Sequence, residues 1–136
     1  MPRRMTAAER DAYLAEPNLA VLSIARDGRG PLSIPIWFEH VDGALRFVSA
    51  ADSVKTRLID KAGRASLCVH NNVLPYWYLT AEGPVTFRTR THEDAKRISA
   101  HYLGSEEAGQ QYADGVTWAG VLGVLTPDTW LTRIPD

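Results

Sequence analysis

The 136-residue chain carries 15 Lys+Arg against 16 Asp+Glu, a formal net charge of -1, with 45% hydrophobic and 23% charged residues. These are the statistics of one compact domain over residues 1–136, and the balanced charge excludes the basic footprint of a protein that neutralises a nucleic-acid backbone. No apolar run approaches the roughly 18 residues a bilayer-spanning helix needs, no apolar signal core follows Arg3 and Arg4, and the lone Cys68 can form no internal disulfide, so a cytoplasmic protein without membrane or nucleic-acid partners is expected.

Thr6 and Glu9 make a capping-box pair, and Ala8, Ala12 and Ala15 recur at helical spacing, which predicts a helix over 6–15 ended by Pro17. Strands follow over 19–25, 32–38 and 45–49, joined by Asp27-Gly28 and Asp42-Gly43 turns, so these three form an antiparallel meander. Asp52 and Ser53 are N-cap residues for a helix over 53–61 that Gly63 closes. A strand over 65–70, an Asn71-Asn72 turn and a long strand over 76–88 come next, with Gly83-Pro84 expected as a bulge or bend. Thr91 with Asp94 opens another helix whose Ala95, Ile98 and Tyr102 share a face, and Gly104 stops it. The polar segment 105–115 reads as a helix end and a mobile loop, and strands over 119–125 and 129–134 close the chain around Thr126-Pro127-Asp128. Six or seven strands with two or three short helices and mostly short links favour a closed or nearly closed antiparallel barrel.

Strand parity puts Leu32, Ile34, Ile36 and Phe38 inside and turns Ser33, Pro35 and Trp37 outward. On the long strand it likewise separates Trp77, Leu79, Ala81 and Val85 from Tyr76, Tyr78, Thr80 and Glu82. Outward aromatic rings call for cover, either by helices of the same subunit or by a second copy with a planar ligand at the seam. Cys68, on a central strand, reads as a core residue.

Residues 49–57 run from a strand end into a helix start, where free N–H groups and the helix dipole favour an anion. Ser53 offers a hydroxyl, and Lys55 and Arg57 offer cationic donors suited to phosphate; the alternative is a solvated helix whose Lys and Arg face water.

The stretches Ile34-Pro35-Ile36-Trp37, Phe47-Val48-Ser49 followed by Ser53-Val54-Lys55-Thr56-Arg57-Leu58, Ala65-Ser66-Leu67-Cys68-Val69, Tyr76-Trp77-Tyr78-Leu79-Thr80-Ala81-Glu82-Gly83 and Pro127-Asp128-Thr129-Trp130 resemble the pyridoxamine-5'-phosphate-oxidase-like, FMN-binding split-barrel superfamily. More narrowly, they resemble its actinobacterial branch dependent on the deazaflavin coenzyme F-420. The resemblance implies a mainly β, Greek-key split barrel, a homodimer, and a flavin-type cofactor in each of two grooves between subunits. Carried over, Ser33, Ile34, Pro35, Ile36 and Trp37 supply backbone and wall, Ser49 and Ser53 hydroxyls, and Lys55 and Arg57 the charge for the phosphate. The oxidase proper has an arginine on the second strand and an Arg-Lys pair for the phosphate; here Ser33 or Ile34 and Val54-Lys55 stand there. That favours the deazaflavin, with FMN as the alternative.

The function implied is hydride transfer between the deazaflavin and a small conjugated or aromatic substrate; a non-catalytic flavin carrier or sensor is the rival. Hydride transfer needs few catalytic side chains because the cofactor carries the chemistry. Tyr76, Tyr78, Trp118 and Trp130 are candidates for a substrate or dimer face, and one tyrosine hydroxyl for a proton donor. His40, His70, His92 and His101 lack metal-ligand spacing, and no Gly-x-Ser-x-Gly elbow, P-loop or dinucleotide fingerprint is present.

Overall fold

The computed structural model describes residues 2–135. Helix α1 (Ala7–Leu14) starts at the capping box of Thr6 and Glu9. Strands β1 (Ala20–Arg26) and β2 (Arg29–Ile36) form a hairpin at Asp27-Gly28, where Gly28 takes φ +67. β3 (Glu39–Val41) and β4 (Ala44–Ala50) form a second hairpin, whose turn puts Asp42 and Gly43 at positive φ. Then come α2 (Val54–Ala62), β5 (Arg64–His70), β6 (Tyr78–Thr89), α3 (His92–Leu103), α4 (Glu106–Asp114), β7 (Gly120–Leu125) and β8 (Thr129–Arg133).

All strand pairs are antiparallel, in the order β2-β1-β5-β6-β7-β4-β3, with β8 also beside β6. The twelve residues of β6 serve two half-sheets: Tyr78–Glu82 pairs with both β5 and β8, and Val85–Thr89 pairs with β7. The two edges, β2 and β3, are consecutive in the chain, so the seam of the barrel runs past Trp37 and Phe38. Alternating residues of β1, β4, β5 and β6, among them Leu22, Leu45, Phe47, Leu67 and Leu79, fill the interior at no more than 1% exposure.

Several expectations are corrected. A three-residue strand, β3, was not foreseen, which brings the described strands to eight. Gly83 marks no bulge, because its register with Ala65 continues unbroken into Arg64–Pro84. It is a point of close approach instead: a Cβ there would collide with the Thr126 carbonyl, and the β7–β8 turn is bonded to β6 through Thr126 N–H to the Pro84 carbonyl and Asp128 N–H to that of Glu82. Residues 105–115 hold no loop but helix α4, capped by Ser105. Its small residues hid it: Gly109 packs so closely on α3 that a Cβ would strike Ala100 and the Lys96 carbonyl. Cys68 lies on the outer face of β5, half-buried, while its neighbours Leu67 and Val69 fill the core.

Helix α3 is fastened to the barrel by charge. Asp94, 2% exposed, caps the helix by accepting from the Thr91 N–H at 2.8 Å. It also accepts from Arg88 of β6 at 2.8 and 3.0 Å and from Arg97 at 3.1 Å, and Arg97 in turn donates to Glu39 of β3. Burial alone raises the Asp94 carboxyl, but the bonds from Arg88, Thr91 and Arg97 more than reverse this and hold it well below the ordinary aspartate value. A depressed carboxyl contributes stability above the unfolded-chain value and loses it as pH falls towards the folded one. Asp94→Asn should therefore cost about 2–3 kcal/mol at pH 7, and the gap to wild type should narrow below about pH 4. Urea unfolding at a series of pH values measures both.

Candidate functional site

The end of β2 lies on the seam of the barrel, and there the outward Trp37 is covered by the chain's own helices. Tyr102 of α3 stacks on it, ring centroids 5.1 Å apart and planes 6° from parallel. Tyr112 of α4 tilts against it at 5.3 Å. Tyr102 is held in turn, its hydroxyl donating to the Asn18 carbonyl at 2.8 Å and accepting from the Phe38 N–H at 3.2 Å, and burial pushes its titration up to about 12.

Beside this clasp is a cavity of about 210 Å³. The sheet contributes Pro35, Ile36, Trp37 and Val48; α2 contributes Lys55; α3 contributes Ala95, Ile98 and Ser99; Tyr112, Val116 and Trp118 complete it. A second, more open groove of about 390 Å³ shares the Pro35–Trp37 wall and adds Leu19. No acidic residue lines either. Lys55 is half-buried, has no ion-pair partner among the described residues, and is lowered in pKa by desolvation. Ser99 of α3, 3% exposed, also lines this space. Three aromatic walls, apolar packing, one cation and the hydroxyl side chains of Ser99 and Tyr112 are features that suit a flat, anionic ligand.

Of the residues expected from the sequence, the cavity gathers Pro35, Ile36, Trp37, Lys55 and Trp118. The rest lie elsewhere. Ser33 is exposed on the outer face of β2, paired through its hydroxyl with Ser23 at 3.1 Å, and Ile34 turns into the barrel against the core. Ser49 is 1% exposed, and its hydroxyl meets Thr56 at 2.7 Å and Ser53 at 3.3 Å. Thr56 donates to the Ala50 carbonyl and its N–H is capped by Ser53. These three hydroxyls fasten β4 to the start of α2. Arg57 is exposed and donates to the Asp52 carbonyl at 2.7 Å, away from the cavity. Tyr76 and Tyr78 stand 52% and 40% exposed near the start of β6. Trp130 of β8 packs against the core beneath the Arg10 guanidinium, 4.2 Å from its ring centroid. Among the described residues no cluster of His, Cys, Asp and Glu is arranged to hold a metal.

Sequence reasoning missed Ser99, Tyr112 and the clasp role of Tyr102. Tyr102 was legible as a helix-face residue; Tyr112 stood in a segment read as a loop. The hydroxyl cluster gives a test of its own: Ser49→Ala leaves buried Thr56 short of a partner and should cost about 1–2 kcal/mol in urea unfolding, while leaving ligand affinity unchanged.

No protein-family model matches the sequence, and no curated protein matches it significantly. Solved structures do. A conserved hypothetical protein of Mycobacterium tuberculosis superposes with a TM-score of 0.80 at 14% identity, over 97% of this chain and 90% of that one. An FAD-binding protein of Mesorhizobium loti gives 0.70 at 15% identity, over 100% and 99%. A protein described as an F-420 reductase gives 0.63 at 22% identity, over 89% and 94%. At such identities the likeness shows the fold alone, and with the β6-centred topology that fold is a mainly β, antiparallel split barrel.

Proposed function

We propose that the chain is an oxidoreductase that binds a flavin-type cofactor along Pro35–Trp37, with coenzyme F-420 as the cofactor and FMN as the alternative. The observation that carries this reading is Lys55: a half-buried cation with no ion-pair partner among the described residues, in a cavity walled by Trp37, Tyr112 and Trp118 and lined by no acid. An unpaired cation in such a place invites an anionic ligand, and the aromatic walls invite a flat one. Structures of this fold include an FAD-binding protein and an F-420 reductase, which supports the cofactor class. By the resemblance, Val54-Lys55 stands in place of the oxidase's Arg-Lys pair for the FMN phosphate, with an apolar residue for the arginine, which supports the deazaflavin.

When bound, such a cofactor supplies a hydride acceptor and donor for a small conjugated substrate. The protein's own residues do the rest. Trp37, fixed by Tyr102, would orient a flat ring; Ile36, Val48 and Ile98 would keep water from it; Lys55 would hold the anionic end; and Ser99 would offer a hydroxyl to a polar group of the ligand. Tyr112, which borders the cavity and is 51% exposed, is the tyrosine placed to hand a proton to substrate. A non-catalytic carrier is the second reading. It is favoured by the cavity's about 210 Å³, below the usual ligand-site range of about 300–1,000 Å³, which leaves little room for cofactor and substrate together.

A homodimer belongs to the same proposal. By register, Pro35, Val21, Cys68, Thr80 and Leu131 form a row of mainly apolar residues across the outer face of five strands, with exposed Leu19 and Tyr78 nearby. Such a face is covered by a second copy. Light scattering should give twice the 15.0 kDa chain mass at micromolar concentration; a monomer would sink the dimer.

Parallel fluorescence titrations with coenzyme F-420 and FMN test the cofactor, F-420 being expected to bind more tightly. Absence of saturable binding by either removes the proposal, and binding without turnover of enones, quinones or nitroaromatics selects the carrier. Lys55→Ala should weaken binding by roughly ten- to a hundredfold, the loss of a charge-assisted contact. The melting temperature without ligand should hold or rise, because burial of the cation is relieved and Ala is the better helix former.

A further inference from the structure

Arg90 stands between the end of β6 and the Thr91 cap of α3, and its backbone N–H donates to the Gly120 carbonyl at 3.0 Å. Its guanidinium lies over the Trp118 ring, 4.6 Å from the centroid, and Nη2 donates to the Trp118 carbonyl at 2.9 Å. The other two nitrogens, Nε and Nη1, are buried and have no hydrogen-bond partner. Nor does any carboxylate among the described residues pair with Arg90. Glycine at 120 makes the position possible, since a Cβ there would overlap the guanidinium. Gly120 pairs with Ala50, the last residue of β4, and the adjoining Ala119 carbonyl accepts from the Ala51 N–H at 3.1 Å, so Arg90 lies beside the segment that leads through Ser53 to Lys55. Trp118, under Arg90, is a wall of the cavity that Lys55 lines.

Two cations without carboxylate partners among the described residues thus adjoin a cavity with no acidic lining, Lys55 as part of the lining and Arg90 against Trp118. Buried donors left unpaired cost free energy and are rare in folded proteins. Arginine presents its donors as a planar fork matched to two oxygens of one anion. We propose that Arg90 and Lys55 form a two-cation subsite for the phosphate-like or carboxylate end of the ligand, with Arg90 leaving Trp118 to grip it. In ligand-free protein the guanidinium is parked on the indole ring with two donors idle, and an anion gives those donors acceptors. Arg57, turned to solvent, takes no part. The proposal rests on the cavity being a ligand site, not on which flavin it takes.

Inorganic pyrophosphate is the probe that needs no cofactor. Added to the full chain at constant ionic strength, it should change tryptophan emission saturably, because Trp118 loses its cation. The response should disappear in Arg90→Met, and its midpoint should rise roughly tenfold in Arg90→Lys, which keeps the charge but not the fork. No saturable response in wild type, or a response unchanged in Arg90→Met, overturns the subsite. Should Arg90→Met fail to fold, as judged by near-UV circular dichroism, Arg90→Lys decides alone, and a midpoint equal to wild type overturns it. FMN and riboflavin, which differ by the phosphate alone, separate gripping from support of the wall. Arg90→Met should weaken FMN ten- to a hundredfold and leave riboflavin unchanged; equal weakening of both would reduce Arg90 to a prop for Trp118. A wild type that answers pyrophosphate and binds no flavin would sink the cofactor reading and leave the subsite standing.

Discussion

Strand β6 is the constraint on which the other parts depend. Tyr78–Glu82 is hydrogen-bonded on both sides, and Val85–Thr89 continues into the other half-sheet, so one segment fixes the positions of β5, β8 and β7 together. That sharing requires the β7–β8 turn to pass tightly across the middle of β6, which the missing Cβ of Gly83 permits. The C-terminal end of β6 then carries Arg88 to the Asp94 carboxylate and delivers Arg90 to the wall of the cavity. Pairing that closes a core at one end of the strand thereby aims charges at the other.

The helices extend the same logic. A buried aspartate would be a liability alone, yet Asp94 is satisfied by Arg88, Arg97 and the Thr91 N–H, so α3 sits in one place and one orientation. Once α3 is fixed, Tyr102 is fixed, and with it Trp37. Helix α4 is different. It leans on α3 through Gly109 and reaches the barrel through the Tyr112–Trp37 contact. The cavity accordingly has one side of sheet and α3 and another of α4 and residues 116–118.

The parts of this arrangement that were legible in the sequence are those governed by short-range rules. Alternation placed Ile36 and Phe38 inside and Trp37 outside, capping boxes located α1 and α3, and Asp-Gly dipeptides located both hairpins. Lys55 was legible because a strand end, an N-cap serine and a cation follow one another. What the sequence did not show depended on contacts across the fold. Ser49, read as a ligand hydroxyl, is bonded to Thr56, and Arg57, read as a phosphate donor, is turned to solvent and bonded to the Asp52 carbonyl. Helix α4 has small residues where it meets α3, so no apolar period announced it. Arg90 carries no local signal at all, since its meaning comes from Trp118 and Gly120, about thirty residues further along the chain.

These failures share a cause that bears on the site itself. Among the described residues six of the 15 Lys and Arg side chains pair with carboxylates, among them Arg3 with Glu9, Arg64 with Asp128 and Arg97 with Glu39. Lys55 and Arg90 are not among these six; Lys55 lines the aromatic cavity, and Arg90 lies over Trp118, one of its walls. Pairing either internally would stabilise the empty protein, and it would also occupy the donors that an anionic ligand needs. Leaving them unpaired lowers the stability of the free state and raises the differential gained when an anion arrives, which is the quantity that sets affinity. Gly120 rather than a larger residue lies under Arg90 because a Cβ there would overlap the guanidinium where it rests on Trp118. A carboxylate there would have made a better fold and a poorer site.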